Sequence, residues 1–237
     1  MNVAWVLVAS MALLAAPATY MGHRQLRGVR SVKTAVTAVG LAAVIIAFAA
    51  SGVPNGGTLT PLAVRLLTAG LAATVIADWL LGAIDNSSTF AFGLAAFLVG
   101  YLLYGIALLD IAIDAAALQR AGLPWLLGGA YLAAIALGAW QYSRLTTIPA
   151  QLRAAVIAYV AVASNLLVAG VVHATLQPTR TTAAIWLLGT ASIYLSDSLI
   201  AHNLFRSKLR AEELWIMPTY YIGQLAIVGG LLLELAA

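Results

Sequence analysis

The chain has 237 residues, 63% of them hydrophobic and 8% charged, with a formal net charge of +4 and no cysteine. A soluble domain carries roughly a quarter of its residues as charges, so this composition excludes a water-soluble fold. The missing cysteines exclude disulfides, thiolate nucleophiles and Cys-ligated zinc or iron–sulfur centres.

Apolar runs of about 20 residues, enough to cross the hydrocarbon of a bilayer, fill nearly the whole chain. They predict an all-α, polytopic membrane bundle of about eight transmembrane helices, read as one transmembrane domain over residues 1–237. The helices are expected at about 3–21, 32–50, 62–83, 90–110, 124–142, 151–174, 181–202 and 214–235. The first run ends in Ala15-Ala16-Pro17-Ala18, as a signal peptide would, but its basic residues follow it, so it reads as a retained helix. The connectors are turn-rich: Ser51-Gly52-Val53-Pro54-Asn55-Gly56-Gly57, Gly122-Leu123-Pro124 and Gln177-Pro178-Thr179. An amphipathic stretch from Asp110 to Arg120 is expected to lie along the interface.

Eight crossings place Arg24, Arg27, Arg30, Lys33, Arg144, Arg153, Arg206, Lys208 and Arg210 on one side and only Arg65, Arg120 and Arg180 on the other. By the positive-inside rule the first side is cytoplasmic and both termini are outside, in a plasma (inner) membrane. Basic residues placed in this way are topology signals, so no nucleic acid partner is expected. Trp5, Trp79, Trp125, Trp140, Trp186 and Trp215 all fall near expected helix ends and are read as an interfacial belt.

Of eight acidic residues, Asp85, Glu212 and Glu213 are assigned to loops, Asp110 and Asp114 to the flanks of the interfacial stretch, and Glu234 to the C-terminal end. Asp78 and Asp197 remain within apolar helices. A charge there costs at least about 2.5 kcal/mol, so a carboxyl in that place has a partner, a proton or a task. Each is expected about five residues, roughly 8 Å, from the cytoplasmic end of its helix. Tyr220, Tyr221 and Gln224 of the last helix fall at or slightly below that level, and Tyr194 stands three residues before Asp197. These residues predict a polar chamber open to the cytoplasm. Two carboxyls in one desolvated site do not both ionise easily, so one is expected to hold a proton and the other a charge. Lys33 or Arg206 at the mouth is placed to meet a phosphate.

Other signals are discounted. His23, His173 and His202 are scattered, so no metal is expected, and two aspartates without a clustered motif are a weak Mg²⁺ site. Asn165 reads as an interhelical hydrogen-bonding residue, and the sequon Asn86-Ser87-Ser88 as chance. There is no P-loop or Gly-x-Ser-x-Gly, no Ser-His-Asp set, and no lysine deep in the last helices to hold retinal.

Three segments resemble the lysoplasmalogenase (YhhN-like) family of membrane proteins. Ala77-Asp78-Trp79-Leu80-Leu81 is similar to its Gly-Asp-x-x-Leu segment. Phe92-Gly93 with Phe97 through Tyr104 is similar to the pattern that follows. Ser196-Asp197-Ser198, Asn203-Leu204-Phe205 and Tyr220-Tyr221-Ile222-Gly223-Gln224 are similar to its C-terminal signatures. The chain departs from the pattern at Ala77, where the family has Gly, at Tyr101, often His, and at Lys33-Thr34, often Lys-Pro.

The resemblance implies a membrane hydrolase that cleaves the vinyl-ether bond of a lysoplasmalogen, releasing a fatty aldehyde and a glycerophospho-alcohol, without a cofactor. It implies Asp78 and Asp197 as the acid and base, either in either role, and Tyr101, Tyr104, Tyr194, Tyr220, Tyr221, Gln224 and Lys33 as substrate-binding residues. The partners implied are the lysophospholipid substrate and membrane lipids. Three further readings stay open: a hydrolase of another ether or ester lysolipid, a proton-coupled transporter with the aspartates as a relay, and a structural protein whose aspartates join helices.

Overall fold

Each of the eight apolar runs folds as a long α-helix in the computed structural model, which describes residues 2–24, 29–51, 59–81, 87–113, 122–177 and 181–236. The helices are α1 (Asn2–His23), α2 (Val29–Ser51), α3 (Pro61–Leu81), α4 (Ser87–Ala112), α5 (Leu123–Ser143), α6 (Arg153–Leu176), α7 (Thr181–Phe205) and α8 (Glu213–Ala236), with a 3-10 turn, Ala150–Leu152, leading into α6. All eight are long and apolar enough to cross a bilayer, and no strand occurs among the described residues. The molecule is a multi-pass membrane protein. In hydrocarbon every backbone polar group needs an internal partner, which a helix supplies within its own segment.

The helix ends differ from expectation in ways that move the site. α7 continues three residues past the expected end at 202, because the Phe205 carbonyl accepts the N–H groups of Thr146 (2.9 Å) and Thr147 (3.0 Å) from the connector before α6. Glu213, assigned to a loop, opens α8. Asp110 belongs to α4, where its carboxylate accepts from Thr60, whose Oγ1 also takes the Ala63 N–H at 2.9 Å and so caps α3. Glu234 is buried within α8 and accepts from the Thr182 hydroxyl at 2.5 Å. Gly52 to Gly57, Asp85, Asn86, most of the expected interfacial stretch from Asp110 to Arg120, Pro178-Thr179, Arg27 and Arg180 lie outside the described residues.

Six helices close a ring: α2 packs on α3, α3 on α4, α4 on α6, α6 on α7, α7 on α8, and α8 on α2. α1 lies in the groove between α2 and α8, and α5 packs against the outside of α6. Association in lipid depends on close van der Waals contact, which small residues permit. Gly70 faces Gly100 across α3–α4, where a Cβ on Gly100 would stand 3.0 Å from the Gly70 carbonyl oxygen. Gly189 and Gly223 do the same across α7–α8, with a Cβ on Gly223 3.1 Å from the Gly189 carbonyl oxygen.

The tryptophan belt needs one correction. Trp79, Trp125, Trp140 and Trp215 are exposed on the bundle, but Trp186 is fully buried. Its ring lies 4.9 Å from that of His173 and closes on Gly230, the only kind of residue that leaves room for the indole there. Nearness to a helix end says nothing about which way a side chain faces.

Candidate functional site

A cavity of about 460 Å³ opens at the end of the ring that carries Lys33, Leu152 and Lys208. Its lining comes from α2, α3, α4, α6, α7 and α8, with the turn before α6 and the loop before α8, and includes no residue of α1 or α5. The walls are mostly apolar, among them Leu81, Leu94, Val156, Ile200 and Met217. Asp78 from α3 and Asp197 from α7 both face this space.

Separate donors hold the two carboxyls. Asp78 Oδ2 lies 2.8 Å from the Thr37 hydroxyl of α2 and accepts from the Tyr220 hydroxyl of α8 at 3.1 Å. Asp197 Oδ1 accepts from the Tyr159 hydroxyl of α6 at 3.0 Å and more distantly from Tyr101 of α4 at 3.5 Å. Its second oxygen, Oδ2, is buried without a hydrogen-bond partner. Aromatic rings run between the two: Tyr220 meets Phe97 edge-on at 5.7 Å, Phe97 lies 5.6 Å from Tyr101, and Tyr101 lies 6.2 Å from Tyr159.

The two carboxyls stand at different distances from the ends of their helices. Asp78 stands three residues from the end of α3 and Asp197 eight from the end of α7, roughly 4.5 Å and 12 Å of helix. Asp78 is partly exposed, whereas Asp197 is 5% exposed. The extension of α7 described above accounts for most of the difference.

Of the other residues singled out from the sequence, Lys33, Tyr101 and Tyr220 line the cavity, while Tyr104, Tyr194, Tyr221 and Gln224 do not. Tyr194 lies only about 60° around α7 from Asp197, but its hydroxyl donates to Gln141 Oε1 of α5 at 2.9 Å and so is drawn toward the outer helix. Gln141 in turn donates to Ser198 Oγ at 2.9 Å, which ties the outer helix to α7. Gln224 shares a face with Tyr220 one turn deeper, beneath the floor, and accepts from the Tyr104 hydroxyl at 3.1 Å. Tyr221 points about 100° from Tyr220 into the protein, its hydroxyl buried and unpartnered, as is Gln224 Nε2.

At the mouth, Lys33 Nζ pairs with Glu213 at 3.3 Å. Arg206 is exposed in the turn after α7 and does not line the cavity; Lys208 takes the place expected for it. Thr37 and Tyr159 were missed. Thr37 is four residues after Lys33 on one face of α2, and Tyr159 is a phenol seven residues into an apolar helix, which is the signal that would have found it. Among the described residues no three His, Asp or Glu side chains gather as metal ligands.

Residues 36–231 match the family model described as the YhhN family, and the chain belongs to that family. The match spans both aspartates and the Tyr220–Gln224 segment. No curated protein and no solved structure matches the chain.

Proposed function

We propose that this member of the YhhN family is a membrane-embedded hydrolase that cleaves the vinyl-ether bond of lysoplasmalogens. The observation that carries this reading is the pair of carboxyl groups, on separate donors, facing one apolar cavity near the end of the ring. Vinyl ethers break by protonation at carbon, which leaves an oxocarbenium ion for water to capture. An acid, a base and a place for one alkyl chain are what that chemistry needs.

The two environments suggest the division of labour. Asp197 has an oxygen with no donor to hold a negative charge in a buried site, where an uncompensated charge is costly. It is the acid. Asp78, partly exposed and held by Thr37 and Tyr220, is the base. Asp197 gives its proton to the alkenyl carbon once removed from the ether oxygen. Water adds to the oxocarbenium carbon and loses a proton to Asp78, forming a hemiacetal. The hemiacetal hydroxyl then returns a proton to Asp197 while Asp78 protonates the departing glycerol oxygen. One water is consumed, the aldehyde and the glycerophospho-alcohol leave, and both carboxyls regain their starting states.

With the basic end in the cytoplasm and both termini outside, the substrate enters from the inner leaflet of the plasma membrane, its chain among the apolar walls and its head at the mouth. The test is aldehyde release from a lysoplasmalogen by the purified chain in detergent, beside Asp78→Asn and Asp197→Asn. Release by the parent, with a loss of at least about 100-fold in both folded variants, is expected from removal of an acid or base. No release from any vinyl-ether lysolipid by a well-folded parent would overturn the reading.

A further inference from the structure

Among the described residues four charged side chains line the mouth of the cavity: Lys33, Lys208, Glu212 and Glu213. Topology accounts for lysines at this end of the bundle, but acidic residues contribute little to topology.

The four are not alike. Lys33 and Glu213 are paired and packed against α1, where a Cβ on Gly22 would stand 3.1 Å from Glu213 Oε2 and 3.4 Å from Lys33 Cε. Among the described residues the side chains of Lys208 and Glu212 have no partner, although the backbone that carries them is well held. Asn203 Oδ1 accepts the Leu209 N–H at 2.9 Å, the Ser207 N–H reaches the His202 carbonyl at 3.0 Å, and Ser207 Oγ lies 2.8 Å from His202 Nε2. The Glu212 carbonyl accepts the N–H groups of Trp215 and Ile216 at 3.0 and 2.9 Å, which fixes the residue at the start of α8. A cation and an anion are thus held ready at the mouth, beside a second pair already joined.

We propose that this rim is a headgroup site selecting a phosphate that carries a primary ammonium, with Lys208 and Lys33 on the phosphate and Glu212 on the ammonium. The proposal rests on the preceding reading in taking a single-chain phospholipid as the ligand. A primary ammonium offers three N–H donors to a carboxylate, and such charge-assisted bonds are the strong ones. A trimethylammonium group offers none and is held by cages of aromatic rings. Phe97, Tyr101, Tyr159 and Tyr220 face the cavity at the depth of the aspartates, leaving Phe205 as the single lining ring near the mouth among the described residues, and one ring makes no cage. The rim therefore favours an ethanolamine head over a choline head.

The test uses ligands that the protein does not cleave, 1-O-alkyl lysolipids with ethanolamine or choline heads and headless 1-O-alkylglycerol, and measures binding to the purified full chain in detergent. The parent is expected to bind the ethanolamine lipid about tenfold more tightly than the choline lipid. Glu212→Gln is expected to bring that ratio to about two or below, and Lys208→Gln to weaken both phospholipids relative to the alkylglycerol. Thermal unfolding of each variant reports whether the fold survives; Lys208 is exposed and Glu212 half-buried. Equal affinity of the parent for the two heads, or a preference that survives both Glu212→Gln and Glu212→Lys, would overturn the proposal. A head preference without vinyl-ether cleavage keeps the rim site and removes the hydrolase reading, and cleavage without a head preference does the reverse.

Discussion

The Tyr159 hydroxyl makes the shorter of the two hydrogen bonds that reach Asp197, 3.0 Å against 3.5 Å from Tyr101. Tyr159→Phe keeps the ring against Tyr101 and removes that donor. We expect kcat on a vinyl-ether lysolipid to fall roughly tenfold, with a smaller change in KM, since the loss is of a positioning hydrogen bond worth about 1 kcal/mol or somewhat more. An unchanged kcat would reduce Tyr159 to a space-filling role. Both aspartates were legible as residues, because a carboxyl inside an apolar span is costly wherever it lies. Two of their donors, Tyr101 and Tyr220, were singled out with them; Thr37 and Tyr159 were not, because an apolar helix does not show which of its faces meets the cavity. Ala211 offers a stability test at the same scale. It has a positive φ of 53° in the loop before α8, a conformation that strains a Cβ but not glycine. Ala211→Gly should stabilise the protein by up to about 1 kcal/mol after glycine's greater freedom in the unfolded chain is set against it, read as a higher thermal midpoint in detergent. A lower midpoint would show that the loop has no strain to relieve.

Helices count and place themselves in such a sequence, but the faces they present are harder to read. All eight were legible from apolar length alone, and the errors fell at the ends, where α7 runs on to Phe205 because a distant connector supplies N–H donors to its last carbonyl. The same blindness to packing put Trp186 in the belt. Gly223 and Gly128 make the point testable. A Cβ on Gly223 meets Ile193 Cγ1 at 2.5 Å and the Gly189 carbonyl oxygen at 3.1 Å, whereas one on Gly128 of α5 meets nothing within 4 Å. Gly223→Leu should force α7 from α8 and destabilise the protein by about 1–3 kcal/mol or more. Gly128→Leu should be neutral or slightly stabilising, since leucine is the better helix former. Thermal unfolding of the two variants side by side checks both, and equal midpoints would mean that the α7–α8 contact tolerates separation.

At the scale of the molecule, the division between a ring of six helices and two flanking ones explains where chemistry is possible. The chamber draws lining from all six ring helices and from neither α1 nor α5, so carboxyls 119 positions apart in sequence reach one space. Hydropathy cannot order helices around a ring, since each span is apolar on every side. That both aspartates face one space was legible in the sequence, but the mostly apolar walls of that space and the mixed charges of its mouth were not. In the proposed reaction a carboxyl facing this cavity protonates carbon rather than oxygen. The most direct measurement is turnover of a lysoplasmalogen in deuterated water by the purified chain, with the aldehyde reduced as it forms and analysed for label. One deuterium is expected on the carbon next to the aldehyde carbon. The substrate's own oxygen is expected to stay on the glycerol product, and product to be lost with Asp197→Asn. An aldehyde without deuterium at that carbon, or full turnover by Asp197→Asn, would contradict the proposed reaction.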